Sequence, residues 1–233
     1  MQLIIVVSIV IISNESSYAQ VTFQREIFFG EGQNYVFKIL ETEDHGFMAA
    51  GWAYSSSPQA GETFLCRMDS VGDTLWVKHY GQNLLSVHPK DLISTSDGSY
   101  LVVGEVDSLG SDGDVDIFLL KLNSQGDTLW TMMYGGEFIE SGSSVIEVDD
   151  GYLIGGQTNS FGSGGNDIYL IKTDFLGTVL WNKVLGSSDD QSVSSIVQTS
   201  DNGYILGGDF SVTKLDSVYN VEWSRNYGNV VFH

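Results

Sequence analysis

The stretch Gly72-Asp73-Thr74-Leu75-Trp76 recurs letter for letter at Gly126–Trp130. Just before it, Asp69-Ser-Val-Gly72 and Asn123-Ser-Gln-Gly126 read [Asp/Asn]-x-x-Gly, as does Asp174-Phe-Leu-Gly177. Asp or Asn at the first position bonds its own turn backbone, and Gly at the fourth accepts a positive φ without strain. The pattern predicts a type I turn with a glycine bulge joining two antiparallel strands. GDTLW is then the end of a turn plus the start of an outgoing strand.

Four copies of a longer unit surround this marker. An Asp-and-Gly turn, an aromatic and an apolar run ending in Gly read DHGFMAAG (Asp44–Gly51), DGSYLVVG (Asp97–Gly104), DDGYLIGG (Asp149–Gly156) and DNGYILGG (Asp201–Gly208). An apolar strand and a basic residue follow, then the hairpin turn, with tryptophans at Trp76, Trp130, Trp181 and Trp223. In the second copy the strand-like runs are Asp91–Thr95, Tyr100–Gly104, Ile117–Leu122 and Thr128–Tyr134. Four short strands in about 50 residues, repeated, are the signature of β-propeller blades. The fold class is therefore all-β: a propeller of about four four-stranded blades, with units near 31–81, 82–135, 136–186 and 187–228. A fragment of a larger propeller is expected, because Val21–Gly30 reads as one additional fourth strand; a compact four-bladed ring is the alternative.

Strand alternation puts each Trp on one face with the residue four later, as in Trp76/Tyr80, Trp130/Tyr134, Trp181/Leu185 and Trp223/Tyr227. Large flat side chains at one register suit blade-to-blade packing. Gly72, Gly126 and Gly177 and the four tryptophans are thus assigned to architecture. In the fourth copy Tyr219 stands where Gly belongs, so Asn220 is expected to take the positive φ. Arg67, Lys121, Lys172 and Lys214 share one repeat slot, and Lys78, Lys183 and Arg225 another.

The 233 residues carry a net charge of −20, which disfavours nucleic acid and anionic membrane surfaces as partners. Residues 1–19 read as a signal peptide: the apolar run Leu3–Ile12 is too short to span a bilayer, and Ser17-Tyr-Ala19 suits cleavage before Gln20. Cys66 is the single cysteine, so no intrachain disulfide forms; its apolar strand marks it as a small buried hydrophobe.

The quoted repeats resemble the bacterial β-propeller repeat (seven-bladed type) of exported surface proteins, D-x-[FY]-[LV]-x-K-x-[DN]-x-x-G-x-x-x-W-x-x-x-x-G-G. The resemblance runs over DIFLLKLNSQGDTLWTMMYGG and SVIEVDDGYLIGGQTNSFGSGGNDIYLIK, and covers about Phe23 to Gly228. It implies a secreted or cell-surface address in a Gram-negative bacterium and an association with type IX secretion. The hairpin is also similar to the tryptophan motif of quinoprotein propellers, and superficially to the serine–aspartate box of sialidases. One cysteine excludes the vicinal disulfide of the former, and Arg25, Arg67 and Arg225 do not supply the arginine triad of the latter.

In a four-stranded blade the tight Asp-Gly turns lie at one end and the long connections at the other. Tyr54–Glu62, Glu105–Asp116, Gln157–Asp167, Gly135–Gly142 and Gly186–Ser192 are the long ones, and binding residues concentrate on such loops. The candidate binding residues there are Glu105, Asp107, Asp112, Asp114, Asp167, Asp189 and Asp190. The alternation Asp112-Gly-Asp114-Val-Asp116 offers oxygens to Ca²⁺. Against calcium, Ile117 stands where an EF-hand-type loop has Gly, and Asp116 aligns with Asp167 and Glu62 as a repeat position. No catalytic set stands out, and the four histidines lie at no metal-ligand spacing. The functional expectation is a non-enzymatic exported scaffold for binding, adhesion or structure, with protein or glycan as partner. A propeller enzyme of hydrolase or quinoprotein type, with its site on the long-loop face, is the alternative.

Overall fold

The computed structural model of the protein describes residues 34–54, 61–81, 85–108, 114–209 and 211–227. The signal stretch 1–19, the strand expected at Val21–Gly30 and Asp112 lie outside the described residues. Sixteen strands form four antiparallel sheets, one per repeat, and the described residues contain no helix. The first sheet holds β1 (Asn34–Glu41), β2 (Phe47–Tyr54), β3 (Gly61–Met68) and β4 (Thr74–Tyr80). The second holds β5 (Leu85–Ser94), β6 (Tyr100–Ser108), β7 (Val115–Leu122) and β8 (Thr128–Tyr134). The third holds β9 (Glu140–Val148), β10 (Gly151–Thr158), β11 (Asp167–Thr173) and β12 (Val179–Leu185). The fourth holds β13 (Ser195–Gln198), β14 (Tyr204–Gly208), β15 (Ser211–Leu215) and β16 (Val221–Asn226). Within each sheet the strands pair in chain order, as a meander.

The hairpin turns form as their residues dictate. In all four, the Asp or Asn side-chain oxygen accepts from the backbone amides two and four residues on, at 2.7–3.0 Å. The glycines take φ of 82° (Gly72), 77° (Gly126) and 81° (Gly177). Each third-to-fourth strand ladder shifts register at the same place, just after the basic residue, which is the bulge the turn type requires. The fourth turn corrects one expectation: Tyr219 itself takes the positive φ, 65°, and Asn220 does not. The Tyr219 ring is held between Trp181 and Tyr204, at centroid distances of 4.7 and 5.0 Å, and this stacking offsets the left-handed strain.

The buried basic residues bolt the other turn of each sheet. Arg67, Lys121, Lys172 and Lys214 are buried and reach the turn carboxylates of Asp44 (2.5 Å), Asp97 (3.0 Å), Asp150 (2.7 Å) and Asp201 (3.1 Å). Each links the first-to-second strand turn to the third strand of its own sheet. Lys121 Nζ also donates to the Tyr152 hydroxyl of the next sheet, at 2.5 Å.

The sheets pack face to face in chain order. Leu65, Trp76 and Tyr80 of the first sheet meet Leu92, Val102 and Leu120 of the second. Leu101, Leu119 and Trp130 of the second meet Tyr152, Ile154 and Tyr169 of the third. Leu153, Leu170 and Trp181 of the third meet Ile196, Tyr204 and Leu206 of the fourth. Covered on both faces, β11 is buried along its whole length and β7 along all but its first two residues.

The first strands of successive sheets also touch: β5 packs on β1, β9 on β5, and β13 on β9. A polar thread joins them. Lys38 pairs with Asp91 at 2.9 Å, Val145 N donates to Asp91 at 3.1 Å, and Ile196 N donates to Ser144 Oγ at 3.2 Å. β5 starts six residues before the expected Asp91, running through Pro89. Proline is tolerated there because the ladder shifts between Pro89 and Asp91, where no amide is needed.

Candidate functional site

The long-connection end of the first two sheets gathers aromatic rings. Tyr35 on β1 lies directly opposite Trp52 on β2, and their rings stack at 6.2 Å. Trp52 also stacks on His88 of β5, at 5.0 Å and 17°. Phe37 continues the row beyond Tyr35 at 6.5 Å. Tyr35 and Phe37 are 46% and 47% exposed, unusual for such large apolar rings on a first strand.

The row exists because of bulges. Register shifts leave Phe37 unpaired between Val36 and Lys38, and Lys90 unpaired between Pro89 and Asp91. A bulge re-aims the side chain it carries. Lys90 pairs with Glu105 at 3.1 Å, and Glu105 also accepts from Ser141 Oγ of the third sheet at 2.7 Å. Glu105 sits opposite His88 in the β5–β6 ladder. Burial pushes the His88 ring below its ordinary pKa, against the opposing pull of Glu105, and its Nε2 lies 2.9 Å from Ser86 Oγ. The result is a flat aromatic strip bordered by one cation and one anion.

The other acidic candidates are spread along the same end of the sheets. Glu140 is completely buried and accepts from Thr158 Oγ1 and Gly136 N, both at 2.5 Å, so it staples two long connections together. Asp116 is half-buried; burial, then the Glu140 and Asp114 carboxylates, push its pKa up. Asp114 and Asp189 are exposed, and Asp107 is half-buried. Asp167 is buried and accepts from Ser163 N at 2.6 Å, while Asp190 accepts from Asn166 N at 2.9 Å. Asp167 and Asp190 thus shape the 159–166 connection. Among the described residues no group of three or more His, Cys, Asp or Glu is placed to hold a metal ion. Asp112, the first oxygen donor of the calcium reading, lies outside those residues.

Of the predicted residues that are described, Glu105 borders the aromatic strip, and the Asp107 carboxylate also acts on His88. Tyr35, Phe37, Trp52, His88 and Lys90 were missed. One signal in the sequence could have found Trp52: of five tryptophans, four occupy the repeat slot and Trp52 does not. An open cleft of about 420 Å³ beside β4 is a second concavity. Val87, Val106, Phe118 and Met133 line it, with His79 at its rim paired to Glu62 at 3.3 Å.

No protein-family profile matches the chain. It is similar to the regulatory protein FlaEY of Caulobacter vibrioides, 27% identical over 209 residues that cover 75% of this chain and 22% of that protein. The chain thus spans about a fifth of that relative's length. Among solved structures it is similar to a protein of unknown function from Bacteroides caccae, with a TM-score of 0.50 and 10% identity. That match covers 70% of this chain and 54% of the other, and it speaks to fold alone.

Proposed function

We propose that the four sheets are blades of a β-propeller, part of a larger ring, and that the protein is an exported, non-enzymatic scaffold. It binds a glycan at the surface of a Gram-negative bacterium. The meander order, the face-to-face packing and the contact between successive first strands support the blade reading. The observation that carries the binding reading is the strip Phe37–Tyr35–Trp52–His88 beside Lys90 and Glu105. Flat exposed rings accept the apolar faces of sugar rings, and flanking charged groups orient the hydroxyls. A scaffold reading also accommodates acids that staple loops. Glu140, Asp167 and Asp190 spend their oxygens on backbone amides and hydroxyls of the connections.

Affinity electrophoresis through gels containing bacterial surface polysaccharides tests this. The wild-type protein is retarded by at least one glycan, and Tyr35→Ala lowers the affinity about tenfold, the value of one good ring contact. Retardation unchanged by Tyr35→Ala and Phe37→Ala together contradicts the reading, as does binding of peptides in place of glycans.

A further inference from the structure

The first three sheets each grip the hairpin turn of the next from the same register of the fourth strand, using two or three positions. In the first sheet, Trp76 lies against Gly126, where an added Cβ would sit 2.5 Å from the indole. Lys78 Nζ donates to Gln125 O at 2.8 Å and pairs with Asp127 at 2.6 Å. The Tyr80 hydroxyl donates to Gly126 O at 2.6 Å. In the second, Trp130 and Met132 crowd Gly177, and the Tyr134 hydroxyl donates to Gly177 O at 2.7 Å. In the third, Trp181 stacks on Tyr219 and Lys183 Nζ donates to Tyr219 O at 2.7 Å. Three successive interfaces therefore repeat one lock: an aromatic over the fourth turn residue, and donors to the turn carbonyls.

The fourth sheet carries the same positions, and among the described residues no turn sits against them. Trp223, Arg225 and Tyr227 occupy the three positions, and Trp223 is 40% and Tyr227 53% exposed. The geometry is already set: the Arg225 guanidinium lies 5.4 Å from the Trp223 ring centroid, as Lys78 Nζ lies 5.5 Å from that of Trp76. Val197, the counterpart of packed Ile146, is 56% exposed.

We propose that Trp223, Arg225 and Tyr227 form a docking site for a β-hairpin turn of sequence [Asp/Asn]-x-x-Gly-Asp, presented by a further sheet of this repeat. Two arguments fix the occupant. The surface continues an interface used three times at the same strand positions. The charge is complementary as well, since Arg225 stands where Lys78 meets the carboxylate that follows the turn glycine. The site is remote in sequence from the aromatic strip and independent of the glycan reading, and it rests on the reading of the sheets as part of a larger ring.

The probe is a backbone-cyclised hairpin peptide carrying residues 121–130 with Trp130→Phe, added to the full chain while Trp223 fluorescence is followed in a variant whose other tryptophans are phenylalanine. Nuclear magnetic resonance of unlabelled peptide against the wild-type chain gives the same titration without those substitutions. Saturable binding is expected. Asp127→Lys in the peptide weakens it about tenfold, and Arg225→Glu in the protein restores that peptide. Gly126→Val in the peptide abolishes binding, because the added methyls strike the indole. No saturable response at about 1 mM peptide overturns the proposal, as does binding indifferent to Gly126 or to the Arg225 charge.

Discussion

Gly126 shows how closely a single residue is determined. Its φ of 77° is a left-handed conformation, and the Trp76 indole occupies the space a side chain would need. Gly126→Ala is expected to cost about 2 kcal/mol, from backbone strain and from displacing the indole, read as a lowered urea midpoint. The turn acids set the response to pH. Hydrogen bonds from Thr42 and Gly46, with Arg67 nearby, hold Asp44 down at about 2. Asp97 is likewise held at about 2, where bonds from Thr95, Lys121 and Ser99 overcome its desolvation. Both folded values lie below the ordinary 3.8, so the folded state binds fewer protons than the unfolded chain. That stabilisation is complete above pH 4 and is lost as pH falls from about 4 to 2. Circular dichroism should show unfolding in that window, and Asp97→Asn should reduce the pH sensitivity there while lowering stability near neutrality.

The elements were largely legible in the sequence. The [Asp/Asn]-x-x-Gly turns place the hairpins, and strand alternation from the Trp register identifies the packing faces. What was not legible follows from physics that a linear pattern does not carry. Pro89 hid the first half of β5, because a bulge excuses a proline that the strand rule penalises. The same bulges turned Phe37 and Lys90 toward the site, and no local motif announces that. Asp167 looked like a loop ligand, yet the fold buries it against its own connection. Asn220 looked like the residue to adopt positive φ, yet stacking around Tyr219 decided otherwise. At this scale the equivalent tryptophans should differ. Trp130→Ala opens a packed sheet-to-sheet interface and is expected to cost about 3 kcal/mol, whereas Trp223→Ala should cost within about 1 kcal/mol. Equal losses in thermal unfolding would contradict the packing order.

At the scale of the whole molecule, the four sheets are joined by two kinds of link. Near the first strands run Lys38–Asp91 and the Ser144–Ile196 thread; at the fourth strands, side chains grip the next turn. The net charge of −20 opposes compaction, and the few cations are spent where they join elements: seven of ten occupy repeat slots. Lys78 and Asp127 belong to different sheets, lie 2.6 Å apart and are accessible to reagents. Zero-length carbodiimide coupling followed by peptide mass spectrometry therefore reads the sheet order directly. A Lys78–Asp127 amide is expected as a major product in the folded chain, lost on denaturation. Coupling of Lys78 only to carboxylates of its own repeat would contradict the arrangement.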